Sequence, residues 1–190
     1  MSRNALRIWL LSVLLFLLFG LPSKSIATEA KITNFLITNT SKNVLIYFRA
    51  ENCFTTEMRN AILAGIPTTV TFYIELYRER KLWFDKEISN LEIKHTIKYD
   101  NVKKTFFVSF NGDGKDPGQF ENFHKAKMAI SDLNGIVVAP MNALIRDKKY
   151  YVRVKAQLEK VRLPLHMEYV FFFVSLWDFE TDWYRENFIY

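Results

Sequence analysis

Three acidic side chains at alternate positions, Asp178, Glu180 and Asp182, stand between Trp177 and Trp183 in FFFVSLWDFETDWY, near the end of the chain. Alternate residues of a β-strand share one face, so an extended backbone here presents a row of carboxylates beside aromatic rings. Such a row suits a cation or a basic partner. It equally suits solvation, because a soluble sheet needs a charged outer face. The opposite sign recurs through the later half, at Lys103, Lys104, Arg146, Lys148, Lys149, Arg153, Lys155, Lys160 and Arg162, with Tyr151 interleaved. The basic face around Arg153 and Lys155 is the second candidate surface, suited to a protein partner, to anionic lipid headgroups or to an envelope polyanion. Dispersed cations among so many acids also form ordinary solvated faces.

The residue types that enzymes use are present, but no spacing gathers them. There is no G-x-S-x-G, no H-E-x-x-H, no paired-cysteine motif and no phosphate loop. His95, His124 and His166 fall on separate segments, and a shared metal would need the fold to collect them. NGDGKDPG (111–118) offers Asn111, Asp113 and Asp116 as oxygen donors, yet it lacks the regular spacing of a calcium loop and has Asn122 where the closing Glu would stand. A polar turn accounts for it. No catalytic residue, cofactor or metal is assigned. The expectation is a noncatalytic binding or accessory module; the alternative is a hydrolytic or metal-dependent envelope enzyme whose site only the fold assembles.

The first residues read as an address. MSRNALR carries Arg3 and Arg7 with no acid, Ile8 to Leu21 is unbroken apolar sequence, and Ser25 and Ala27 provide small residues for cleavage. This is the pattern of a secretory signal peptide over residues 1–27. The apolar run is shorter than the roughly 17–25 residues of a bilayer-spanning helix, so cleavage after Ala27 is favoured over a retained anchor, the alternative. Export to the periplasm or another extracytoplasmic space puts nucleic acid out of reach as a partner. Loss of Arg3, Arg7 and Lys24 lowers 26 basic residues to 23 against 20 acidic ones, so the formal charge falls from +6 to +3. The single Cys53 has no partner for an internal disulfide, and its apolar neighbour Phe54 points to a buried thiol.

Residues 28–190 are expected to form a single domain of mainly β structure. TTVTFYIELYRER sets Val70, Phe72, Ile74 and Leu76 on one face and Thr69, Thr71, Tyr73, Glu75 and Tyr77 on the other. LEIKHTIKYD sets Leu91, Ile93, His95, Ile97 and Tyr99 inward, and KYYVRVKAQL does the same with Tyr150, Val152, Val154, Ala156 and Leu158. That period of two is the signature of half-buried strands. KITNFLITN, VLIYFRA, KLWFDKEI and KTFFVSF have strand composition between turn signals. TTEMRNAILAG and FENFHKAKMAISDLNG have helical spacing and end on Gly65 and Gly135. From Tyr169 onward a last strand is expected, buried over Phe171 to Trp177 and emerging at Asp178. Its nine-residue apolar run is too short for a membrane helix.

So many antiparallel strands pack best as a two-sheet sandwich. In ALIRDKKYYVRVKA, a Leu several residues ahead of Tyr-x-Val-x-Val is similar to the corner and following strand of immunoglobulin and fibronectin type III domains, with Tyr150 as the corner tyrosine. Five phrases in order, AGIPTTVTFYIELYRERKLWFDKEI, HTIKYD, YYVRVKAQL, LPL and VSLWDFETDW, resemble a bacterial family catalogued as domain of unknown function 4390. The resemblance covers most of residues 28–190. It implies export, a β-rich domain and no assigned activity, and an envelope-facing sensor kinase of the nitrogen-regulation type as a partner.

Overall fold

The computed structural model describes residues 29–112, 115–159 and 179–190. The signal-peptide segment and the strand expected over Phe171 to Trp177, with Asp178, lie outside these residues. Among those described, the order is β1 (Lys31–Asn39), β2 (Asn43–Glu51), α1 (Thr56–Leu63), β3 (Thr68–Arg78), β4 (Lys86–Asp100), β5 (Thr105–Asn111), β6 (Gly118–Phe120), α2 (Phe123–Ser131), β7 (Asp132–Pro140), β8 (Lys149–Leu158) and β9 (Tyr184–Ile189). The strands make two antiparallel sheets, one of three strands in the order β1-β2-β7 and one of six in the order β6-β5-β4-β3-β8-β9.

The period of two in the sequence becomes the inner faces of a sandwich. Val44, Ile46, Phe48 and Ala50 of β2 are buried, as are Val70, Phe72, Ile74 and Leu76 of β3 and Tyr150, Val152, Val154, Ala156 and Leu158 of β8. Phe48 meets Phe72 edge to face at 5.9 Å, which joins the small sheet to the large one. The aromatic seam continues through His95, 5.2 Å from Phe72 and 4.8 Å from Phe110. His95 is fully buried and its Nδ1 donates to the Ile130 carbonyl at 2.8 Å, so this histidine ties β4 to α2 inside the core.

Both helices are short and capped, as their sequences require. Thr55 accepts from the Met58 amide at 3.3 Å and Asn122 from the Lys125 amide at 2.9 Å, each satisfying an amide that the first turn leaves open. Tyr150 Oη accepts from the Ile145 amide at 2.7 Å, pinning the loop that leads into β8.

Three expectations are corrected. KLWFDKEI is not a strand from its first residue: β4 begins at Lys86, and Leu82, Trp83 and Phe84 form an exposed hairpin tip. The second helix stops at Ser131 rather than Gly135, and the chain passes directly into β7, where Gly135 at φ +72° sits in a bulged strand. Thr71, expected to face outward into solvent, is 1% exposed. It donates to Glu159 at 2.9 Å, and that carboxylate folds over the outer face.

Candidate functional site

The outer face of the large sheet, across β3, β8 and β9, gathers five of the side chains singled out in the sequence, Tyr151, Arg153, Lys155, Glu180 and Trp183. Lys103 and Lys104 lie in the turn between β4 and β5, and Lys160 and Arg162 lie outside the described residues. Strand register places them: Glu75 stands opposite Arg153, Arg153 opposite Arg185, Tyr77 opposite Tyr151, and Tyr73 opposite Lys155. Directly opposed side chains on one face are close enough to interact. Arg153 Nε reaches Glu75 Oε2 at 2.5 Å while its guanidinium lies 4.5 Å from the Trp183 ring centre and 5.1 Å from that of Tyr77. Lys155 pairs with Glu180, and its Nζ is 5.4 Å from the Trp183 ring and 5.9 Å from that of Tyr73.

A second rung lies nearer the hairpin tip. The Arg185 guanidinium covers Tyr151 at 3.6 Å and donates to Glu79 at 2.6 Å. Tyr151 in turn stacks on Tyr77 with centres 5.2 Å apart. The phenols donate to Asp85 and Glu87 respectively, each at 3.1 Å. Burial, followed by hydrogen bonding to Glu75 and Glu87, pushes the Tyr77 phenol up to about 12. At the other end of the face, Lys94 bridges Glu159 at 2.6 Å and Glu92 at 3.0 Å. Its hydrogen bond to Glu159 is the first cause that raises the Lys94 pKa, and the Lys94 hydrogen bond is likewise the first that lowers that of Glu159.

The acidic end and the basic face are therefore one surface. Lys155 neutralises Glu180, and Glu75 neutralises Arg153, so the face is a lattice of cations on rings rather than a field of one sign. Each exposed cation–ring contact stabilises by roughly 0.5–1 kcal/mol, and its larger effect is to fix long side chains in one arrangement. Thr181 anchors the segment: it is 2% exposed, its amide donates to the Ala156 carbonyl at 2.9 Å, and its Oγ1 accepts from the Ala156 amide at 3.0 Å. Asp182 is exposed beside it. Glu180 and Trp183 both reach Lys155, so strict alternation, which would set them on opposite faces, breaks between Thr181 and Tyr184. Trp177 and Asp178 lie outside the described residues.

Cys53 is buried at the end of β2, and burial pushes its thiol up to about 12. Among the described residues no group of three or more His, Cys, Asp or Glu side chains is placed to hold a metal ion. No described helix is long and apolar enough to cross a membrane.

A two-sheet antiparallel sandwich with a cation–aromatic outer face is the class of object this chain forms. Residues 27–187 match the family model described as Domain of unknown function (DUF4390), and the chain belongs to that family. No curated protein and no solved structure matches it.

Proposed function

We propose that this chain is an exported, noncatalytic envelope protein, a binding or accessory module that engages a protein partner through the outer face of β3, β8 and β9. The observation that carries this reading is Trp183, 38% exposed and held between Arg153 and Lys155. Protein interfaces draw their binding energy from rigid Trp, Tyr and Arg side chains, and here the sheet has already fixed them before any partner arrives. The entropic cost of ordering them is met in folding. Asp182, exposed beside the indole, orients a basic partner, and the exposed edges of the same face accept anionic lipid or polyanion contacts.

Export is supported by the charged, apolar and small-residue pattern of residues 1–27. The partner class suggested by the family resemblance is an envelope sensor kinase. An immunoglobulin-like reading of the sandwich is supported by strand order: β1-β2-β7 corresponds to strands A, B and E, and β4-β3-β8-β9 to C′, C, F and G. The Tyr150 to Ile145 hydrogen bond supports it again, because it has the form of a tyrosine corner.

Crosslinking in intact cells, with a photoreactive residue at Asn187 on the same face, followed by mass spectrometry, tests the proposal. A discrete protein adduct that is lost with Trp183→Ala, and with Asp178, Glu180 and Asp182 changed together to Asn, is expected while the melting temperature holds. An adduct retained at full strength in both variants removes this face from partner binding.

A further inference from the structure

The hairpin joining β3 to β4 ends in three consecutive large apolar residues that pack against almost nothing. Leu82 is 96% exposed, Trp83 74% and Phe84 87%, with the two rings in edge contact at 6.4 Å. A contiguous apolar patch of this kind costs solubility and marks a contact site on a soluble protein. The tip is not a loose excursion. The arms below it are paired from Tyr77 with Glu87 and Arg78 with Lys86, the Arg80 amide donates to Asp85 Oδ1 at 3.0 Å, and Tyr151 donates to the other oxygen of that carboxylate at 3.1 Å. The Glu79 amide donates to the Lys149 carbonyl at 2.9 Å, which binds the hairpin to the first residue of β8.

The collar around the tip is basic. Residues 78–87 and 145–149 together carry seven basic and four acidic side chains. Three of those acids already have partners, Glu79 in Arg185, Asp85 in Tyr151 and Glu87 in Tyr77. Arg80, Lys81, Lys86, Lys148 and Lys149 are exposed around the tip, where the cleft between hairpin and loop is about 1040 Å³. Ile145, 50% exposed, and Ile189, 70% exposed, stand at the same end of the sandwich.

We infer that this tip docks on the surface of a bilayer containing anionic lipid, with Leu82, Trp83 and Phe84 entering the boundary between headgroups and acyl chains and the basic collar lying against the headgroups. A convex wedge of Leu, Trp and Phe with cations set behind it matches the two layers of a membrane surface in order: hydrocarbon for the tip, negative charge for the collar. An indole sits well at that boundary because one edge is apolar and its N–H is satisfied by the wet layer. The inference does not rest on the protein partner proposed above, because the tip is distinct from the Trp183 face and lipid alone is its ligand.

The test uses protein purified in the form that cells make from the full chain, mixed with vesicles of phosphatidylcholine alone or with about 30% phosphatidylglycerol. Bromine-labelled lipid quenches tryptophan at the boundary, and the difference between the parent and Trp83→Phe isolates Trp83 from Trp9, Trp177 and Trp183. The Trp83 component should be quenched in the anionic vesicles and not in the neutral ones. L82S/W83S/F84S should lower partitioning into anionic vesicles at least about tenfold without changing the melting temperature. Equal quenching of the parent and Trp83→Phe, or a triple variant that partitions like the parent, overturns the inference and assigns any vesicle binding to another segment. Quenching of Trp83 that is the same in both vesicle types overturns the role of the collar.

Discussion

The Tyr150 hydroxyl, on a fully buried ring, accepts the amide of Ile145 five residues upstream at 2.7 Å. That contact closes the loop that carries Arg146 and Lys148 and leads into β8 at Lys149, so a core residue determines the position of a surface loop. Tyr150→Phe keeps the ring, and with it the stack on Phe188 at 5.5 Å, while removing the hydroxyl that accepts from the Ile145 amide and donates to the Ile145 carbonyl at 3.4 Å. The loss should be about 1–3 kcal/mol, the range for leaving a part-buried amide unpaired. Denaturant unfolding should show a lower midpoint with an unchanged slope. A midpoint equal to that of the parent would mean that water replaces the tyrosine without cost.

The two faces of β3 should separate into tiers. Phe72→Ala should cost roughly 3–5 kcal/mol and Ile74→Ala roughly 2–5, because both side chains are 0% exposed and leave cavities between the sheets. Thr71→Ala should cost about 1 kcal/mol through its lost hydrogen bond to Glu159. Glu75→Ala, whose partner Arg153 is partly exposed, should fall within about 1 kcal/mol. Equal losses on both faces, measured by the same denaturant titrations, would contradict this register.

Cys53 gives a pH dependence with a definite sign. Burial holds its thiol near 12 in the folded protein, against about 8.5 when the chain is unfolded. A group raised by folding contributes stability that is complete below the unfolded value and is lost as pH climbs toward the folded one. Stability should therefore decline between about 8.5 and 12, and Cys53→Ser should flatten that decline. A thiol reagent at pH 8 should leave the native protein unmodified and label it fully in denaturant. Rapid labelling of the folded protein would place the sulfur at the surface.

The stretches that alternate, β3, β8 and the 91–100 part of β4, are legible because a half-buried strand writes its two environments directly into the order of residue types; the start of β4, where its pairing with β3 shifts, is not. β7 was not legible because its bulge changes phase. Leu133 is buried before Gly135, whereas Ile136 and Val138 are buried after it, so no single period of two runs through DLNGIVVAP. The glycine that imitates a helix stop is in fact the residue that permits the bulge. KLWF departs from expectation for the opposite reason: its composition is that of a strand, but three consecutive apolar residues show no alternation, and composition alone does not tell a core strand from an exposed tip. Arg153, Lys155, Glu180 and Trp183 were each visible as candidates. Their union into one face was not, because it depends on pairing between β3, β8 and β9, and YRENFI carries Glu186 on its inward-leaning side.

The irregularities at the rims of the two sheets bear on how copies of this protein behave together. β1 shifts register between Thr33 and Leu36, with Asn34 at φ 53°, and β7 carries its own bulge at Gly135. Both edges of the small sheet are thus bent, and β6, at one edge of the large sheet, is only three residues long. A second chain needs a long, flat row of free amides and carbonyls to add itself as another strand, and these three rims do not offer one. Among the described strands, only β9 presents a regular edge, and it bears Arg185 and Glu186. Sheet extension by a second folded molecule is thus confined, among the described strands, to the charged six-residue edge of β9.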